Sequence, residues 1–228
     1  MTCGLFIAGT STEVGKTRIG AMIARELFGA GRRVGVYKPA ASGCRIEAGR
    51  VVADDAVRLW EAAGRPLTTD EVCPQRFLAP VSPPRAATAE GRRVDERLLR
   101  AGLAPWLAAS EIVLVEGAGG LMSPLGDATY NIDLAADFGF PLVIVAANEL
   151  GAVNHSLQTI VTARARAPRL PIAGIVLNQA ALREGDASLA TNADDLAERC
   201  GVPLLATVAH GGEQFSSTID WFALAGDS

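Results

Sequence analysis

The chain has 228 residues, 49% of them hydrophobic, and 21 Lys and Arg against 25 Asp and Glu give a net charge of -4. That composition supports a sizeable core and argues against a nucleic-acid surface, while its longest apolar runs are too short to cross a bilayer. No charged or low-complexity stretch reads as a linker, so one domain over residues 1–228 is expected.

In chain order, Leu5 to Ala8 reads as a buried strand. A Gly-rich loop leads to a helix with Ile19, Met22, Ile23 and Leu27 on one face, ended near Gly29 and Gly31. Val34 to Lys38 is the second strand, stopped by Pro39. Asp55 to Ala63 reads as a helix with Val57 and Trp60 inward, stopped by Gly64 and Pro66. The five prolines between Pro66 and Ala87 predict an ordered loop. Val94 to Ala109 reads as a helix, with Gly102 and Pro105 as a point of possible break.

Ile112 to Val115 is the next strand, ended by Glu116-Gly117, and Leu142 to Ala147 another. A helix over Ala152 to Ala165, a strand over Ile172 to Leu177, a polar helix over Ala187 to Cys200 and a strand over Val202 to Val208 complete the series. Alternating strands and helices predict an α/β fold, a parallel sheet with helices on both faces. Ligands in such sheets gather at the carboxyl ends of the strands.

The four cysteines, Cys3, Cys44, Cys73 and Cys200, show no metal-ligand spacing and read as reduced thiols. The first residues lack a basic start and a cleavage-like region, so the cytoplasm is expected.

Gly9-Thr10-Ser11-Thr12-Glu13-Val14-Gly15-Lys16-Thr17 joins the first strand to the first helix. Glycines let the backbone curl so that N–H groups and the helix N-terminus face a polyanion. Lys16 adds charge at the outer phosphates and the Thr17 hydroxyl suits magnesium, the pattern of a P-loop NTPase. Its glycines stand one residue further apart than in the generic motif. Two acids suit the same metal, which prefers oxygen ligands and retained waters. Glu116 ends an apolar strand and precedes Gly-Ala-Gly-Gly. Asp55 serves equally well as a helix cap or as a ligand. Lys38, ending the second strand before Pro39, reads as a solvated strand-end lysine or as a second cation for a transferred phosphoryl group.

Three motifs in this order, Gly-Thr-x-Thr-x-Val-Gly-Lys-Thr, Tyr-Lys-Pro-x-x-Ser-Gly and Val-Glu-Gly-Ala-Gly-Gly, resemble dethiobiotin synthetase, in which the longer phosphate loop is normal. Pro80 with Ser82-Pro83, Leu150-Gly151 with Asn154-His155, and Asn178 extend the resemblance from about Leu5 to about Pro203. It implies an ATP- and magnesium-dependent ligase that forms dethiobiotin from 7,8-diaminononanoate and carbon dioxide, through a carbamate and a carbamic-phosphoric anhydride. It also implies that Glu13, Val14, Gly15, Lys16 and Thr17 hold the triphosphate, and that Thr17, Asp55 and Glu116 surround magnesium. Lys16 and Lys38 would be catalytic. Thr12, Lys38 and Ser42 would meet substrate, and the backbone of Gly117, Ala118 and Gly119 would line the site. Asn178 and Gln179, with Ala209, His210 and Gly211, would bind the base. A homodimer is implied, with the substrate carboxylate at Gly151, Ala152, Val153 and Asn154 of the opposite subunit.

The chain departs from the family pattern at Pro84, which replaces a His, at Gln179, which replaces an Asp, and at Ala206 to Ala209, which replace Gly-x-x-Pro. A partitioning-type switch NTPase is the main alternative, but such proteins carry an early lysine in the loop, and Thr10 to Val14 has none. A small-molecule kinase would need an arginine-rich lid, and a cobyrinate-type amidotransferase ligase an attached glutaminase domain.

Overall fold

A computed structural model describes residues 2–226. Six parallel strands form its central sheet: β1 (Cys3–Gly9), β2 (Val34–Tyr37), β3 (Ile112–Gly120), β4 (Leu142–Ala147), β5 (Ile172–Asn178) and β6 (Leu204–Val208), in the order β6-β5-β4-β1-β3-β2. Leu5, Phe6, Ile7, Val113, Val115, Val143 and Ile144 are fully buried, as expected of strands covered on both faces. From β1 the chain crosses through α1 (Lys16–Gly29) to β2, one position past β3. From β4 it moves the other way, through the helices Ala152–Arg166 and Asn192–Arg199. Right-handed crossovers in opposite directions put these helices on opposite faces. The direction reverses around β1, so a crevice opens at its carboxyl end.

Register then decides the neighbours. Tyr37 of β2 pairs with Val115 of β3, so the next residues, Lys38 and Glu116, lie side by side. Ile7 of β1 pairs with Glu116 from the other side, two residues before the phosphate loop begins.

Several segments differ from the sequence expectation. The helix Asp54–Ala62, α2, buries Ala56, Leu59 and Ala62, whereas Val57 and Trp60 flank that face and stay half-exposed. Trp60 is drawn aside because its indole N–H donates to the Pro66 carbonyl at 2.9 Å. The proline-rich stretch holds the helices Thr69–Val72 and Pro83–Ala89 and the short strand Gln75–Arg76. The first is nucleated by a Thr68–Glu71 capping box, and the second opens on Pro83, which the first helical turn tolerates.

The expected helix over Val94 to Ala109 is two, Glu96–Ala101 and Ala104–Ala109, with Pro105 in the first turn of the second. The polar helix near Ala187 likewise divides into a 3-10 turn, Ala187–Ala190, and Asn192–Arg199. β3 does not stop at Glu116 but runs on through the glycines to Gly120. The antiparallel hairpin Arg45–Glu47 with Arg50–Val52, and the helices Asn131–Phe138 and Trp221–Gly226, carry too few turns or alternations to show a period in the sequence.

Candidate functional site

The phosphate loop folds back over the end of β1. Glu13 (φ 57) and Gly15 (φ 89) are left-handed. That conformation costs a residue other than glycine on the order of 1 kcal/mol and concentrates where function needs it. Gly15 is required twice over, since a Cβ there would lie 2.2 Å from the Asn178 side-chain nitrogen. Gly15 also precedes α1, and no side chain caps that helix. Its first N–H groups, which have no intrahelical partners, remain for an anion.

Lys16 is buried and curls back so that its Nζ donates to the Ser11 carbonyl at 3.2 Å. Gly9 must be glycine for this, because a Cβ would sit 2.5 Å from the Ser11 carbonyl oxygen and 3.0 Å from the Lys16 Nζ. Burial depresses the Lys16 ammonium to about 8, with Glu116 opposing the shift and Lys38 adding to it. With no phosphate bound, Lys16 is therefore half deprotonated near pH 8. A bound polyanion favours the charged form and raises that value. We expect kcat/KM for ATP, which reads the free enzyme, to fall above about pH 8. The kcat profile should hold to higher pH; parallel pH–rate profiles test this, and coincident alkaline limbs refute it.

Beside Lys16 lies a cluster of opposite charges. Lys38, 3% exposed, donates to Glu116 Oε1 at 2.6 Å and stands 3.3 Å from Asp55 Oδ2. Thr17 donates its hydroxyl to the same Glu116 oxygen at 2.8 Å. Burial by itself would discharge Lys38, but the Glu116 and Asp55 carboxylates outweigh it and hold the ammonium above the ordinary lysine range. Burial likewise works against the Asp55 carboxylate, and Lys38 with the Thr17 hydroxyl overcomes it, so its pKa falls. Asp55 is not a cap: Ala53 holds that position, and Asp55 sits half-exposed in the first turn of α2.

Glu116, 1% exposed, has a second oxygen, Oε2, with no hydrogen-bond partner among the described residues. Leaving a buried carboxylate oxygen unpaired costs about 1–3 kcal/mol or more, so that atom suits a ligand cation. Thr17 and Asp55 flank it with further oxygens, a donor set that fits magnesium. Among the described residues no group of three or more His, Cys, Asp or Glu forms a metal centre, so a cation at this site leans on phosphate and water for its other ligands.

These side chains line a cavity of about 650 Å³ with Thr12, Glu13, Gly15, Ser42, Ala118 and Gly119. Arg18 and Arg58 line it too, and the sequence reading assigned neither. Val14 and Gly117 lie buried beneath. Cys73, pushed up to about 12 by burial, is a neutral thiol and no nucleophile.

The remaining expected residues do not line this cavity, although Asn178 and Ala209 accept hydrogen bonds from Arg18 at its edge. Gln179 is half-buried, its N–H donating to the Val208 carbonyl, and Ala209, His210 and Gly211 are exposed beyond β6. Asn178 is fully buried, its amide donating to the Val14 carbonyl at 2.8 Å. Gly151 (φ 97) caps the helix Ala152–Arg166, with Ala152 buried, Val153 half-buried and Asn154 exposed.

Asn131 escaped the sequence reading. It is buried, and its side chain accepts from the Ala118 N–H and donates to the Ala118 and Gly120 carbonyls at 2.7 and 2.8 Å. Those bonds anchor the glycine extension of β3 on both sides of the left-handed Gly119 (φ 75). Asn131→Ala should cost about 1–3 kcal/mol; urea unfolding measures it, and a change under about 0.5 kcal/mol would show that the clamp carries no weight.

A family model described as an AAA domain matches residues 3–211. The chain is 46% identical to the ATP-dependent dethiobiotin synthetase BioD of Rhodopirellula baltica, over 89% of this chain and 82% of that protein. It is 36% identical to the BioD of Phenylobacterium zucineum (94% and 92% covered) and 44% identical to that of Anaeromyxobacter dehalogenans (85% and 84%). The signal recognition particle receptor FtsY of Elizabethkingia anophelis, solved with GDP, superposes with a TM-score of 0.51 at 13% identity, over 99% of this chain and 63% of that one. The FtsY of Thermotoga maritima gives 0.50 at 15% identity, over 99% and 67%. At such identities FtsY shows the fold alone, that of a P-loop NTPase. The synthetase likeness extends over most of both chains, and on it this chain belongs to the family of ATP-dependent dethiobiotin synthetases, the ATP-dependent ligases of biotin biosynthesis.

Proposed function

We propose that the chain closes a ureido ring on 7,8-diaminononanoate, using carbon dioxide, ATP and magnesium, and that the residues around the 650 Å³ cavity carry the reaction. The observation that supports this best is the Lys38–Glu116–Asp55–Thr17 cluster beside the phosphate loop, with Glu116 Oε2 unpartnered inside it. Thr17, Asp55 and Glu116 would hold magnesium, which when bound neutralises charge on the phosphates.

One substrate amine attacks carbon dioxide and sheds a proton, giving a carbamate. A carbamate oxygen attacks the γ-phosphorus and ADP leaves. The second amine attacks the carbonyl of the mixed anhydride, phosphate departs with the electron pair, the attacking nitrogen gives up a proton, and the ring is closed. Both nucleophiles come from substrate, so protein has to position groups and stabilise charge. Lys16 and the free N–H groups of α1 grip the triphosphate, together with Glu13 to Thr17. Lys38, held protonated between two carboxylates, balances the carbamate and the γ-phosphoryl group as charge passes between them. Thr12, Ser42 and the Gly117 to Gly119 backbone orient the diamine.

In the same reading the chain is one cytoplasmic domain that works as a homodimer. Gly151 to Asn154 then offer N–H groups to the substrate carboxylate of the opposite subunit. The exposed side chains of Leu150 and Val161 on that segment and its helix give such an interface apolar surface to cover. No helix among the described residues is long and apolar enough to cross a membrane.

Diaminononanoate, bicarbonate, ATP and magnesium are supplied together and phosphate release is followed. Release that depends on the diamine, with dethiobiotin as product, is the expected result. Hydrolysis indifferent to the diamine but stimulated by a protein partner would replace this reading with the switch.

A further inference from the structure

Arg18 follows the magnesium-ligand candidate Thr17, yet its guanidinium turns away from the carboxylates. Nη1 donates to Asn178 Oδ1 at 3.1 Å, and Nη2 donates to the Ala209 carbonyl at 3.0 Å and to the Gly212 carbonyl. No ion pair links it to an acid among the described residues. One side chain thus ties three separate segments together: the start of α1, the end of β5 and the loop after β6. A rigid fork of five donors suits this task, and a lysine's compact charge does not.

The Asn178 amide is oriented by its partners. Val14 supplies a carbonyl, so the amide nitrogen must face it; Arg18 supplies donors, so the amide oxygen must face that side. Gly15, lacking a Cβ, lets this amide press against the phosphate loop. The loop after β6 is otherwise exposed from Ala209 to Gly211.

We propose that Arg18 is a positioning residue for nucleobase recognition: it holds residues 209–212 and the Asn178 amide in the arrangement that receives the base of the nucleoside triphosphate. The inference rests on the reading of Asn178 and residues 209–211 as the base site. It assigns Arg18 no part in phosphoryl transfer. Binding energy lost on its removal belongs to the base, not the triphosphate.

Arg18→Met and Arg18→Lys are compared with the unaltered enzyme in three measurements: KM and kcat for ATP, the ratio of kcat/KM for ATP to that for GTP, and the affinity for tripolyphosphate with magnesium. Loss of hydrogen bonds from a charged donor predicts a KM for ATP raised roughly tenfold or more in Arg18→Met. The preference between bases should shrink in proportion, tripolyphosphate affinity should stay within about twofold, and the loss should fall on KM rather than kcat. Arg18→Lys should recover only part of it.

Unchanged KM and unchanged base preference in Arg18→Met would overturn the assignment. Equal weakening of ATP and tripolyphosphate would also overturn it, by showing that Arg18 merely supports the phosphate loop. If the unaltered enzyme itself binds tripolyphosphate as tightly as ATP, the reading of residues 209–211 as a base site fails instead.

Discussion

Lys16→Ala is expected to lower the rate of ring closure by roughly 10³-fold or more, the range for a lost charge clamp on a transferring phosphoryl group. The cause lies in its burial. Lys16 is 8% exposed and, among the described residues, bonded through Nζ only to the Ser11 carbonyl, and burial already depresses its pKa to about 8. A charge so poorly solvated interacts strongly with a phosphate placed beside it, because little water screens the pair. The same circumstance makes it a weak contributor to the nucleotide-free fold. Lys16→Ala should therefore keep its unliganded stability to within about 1 kcal/mol while losing catalysis. Single-turnover rates and thermal unfolding, measured together, test both halves. Near-normal turnover would remove Lys16 from the phosphate clamp.

Lys38→Met should behave in the opposite way. Its ammonium is the partner of a fully buried carboxylate, Glu116, and of Asp55. Removing one member of a buried ion pair leaves an uncompensated charge and costs about 3–5 kcal/mol, so this variant should lose stability as well as turnover. Turnover should fall by roughly 10²–10³-fold, chiefly in kcat, because the carbamate and γ-phosphoryl charges would lack their counter-ion. Adding Glu116→Gln to Lys38→Met should restore most of the stability, since the buried charge is then gone, and none of the activity. Magnesium with ATP should stabilise Lys38→Met more than the unaltered chain if cations share this site. A variant as stable and as fast as the original would sink the proposed role for Lys38. A double variant no more stable than the single one would show that the pair is not what holds the cluster.

The arrangement divides its charges by environment. Among the described residues Lys16 stands without a carboxylate within ion-pair distance, and Lys38 stands between two. A nucleotide can claim the first without competition, whereas the second stays charged throughout. This division supports a chemistry in which the triphosphate arrives complete and negative charge then moves from carbamate to phosphate.

Six apolar strands, the phosphate loop at the first strand-to-helix junction and, through three spaced motifs, the family are legible in the amino-acid sequence alone. These are local properties: a run of Val, Ile and Leu, a Gly-Lys-Thr before an amphipathic helix, a lysine before a proline. It also named Lys16, Thr17, Lys38 and Glu116, but their meeting was an expectation from likeness. On residues alone Asp55 stood evenly between cap and ligand, and Lys38 between solvated strand end and second cation. In the folded chain Ala53 holds the cap position and Lys38 is buried: strand order brings β3 between β1 and β2, and a register pairing Tyr37 with Val115 sets Lys38 beside Glu116. The glycines after Glu116 have little tendency to form strand, and Gly119 is left-handed (φ 75); the Asn131 side chain anchors the residues on either side of it, Ala118 and Gly120. Arg18 looks like one more surface residue of a helix until β5 and the loop after β6 arrive to accept its hydrogen bonds. Each of these contacts joins residues remote in the chain, and a local pattern cannot carry it: it exists only once non-local packing has met the entropy of closing the intervening loops.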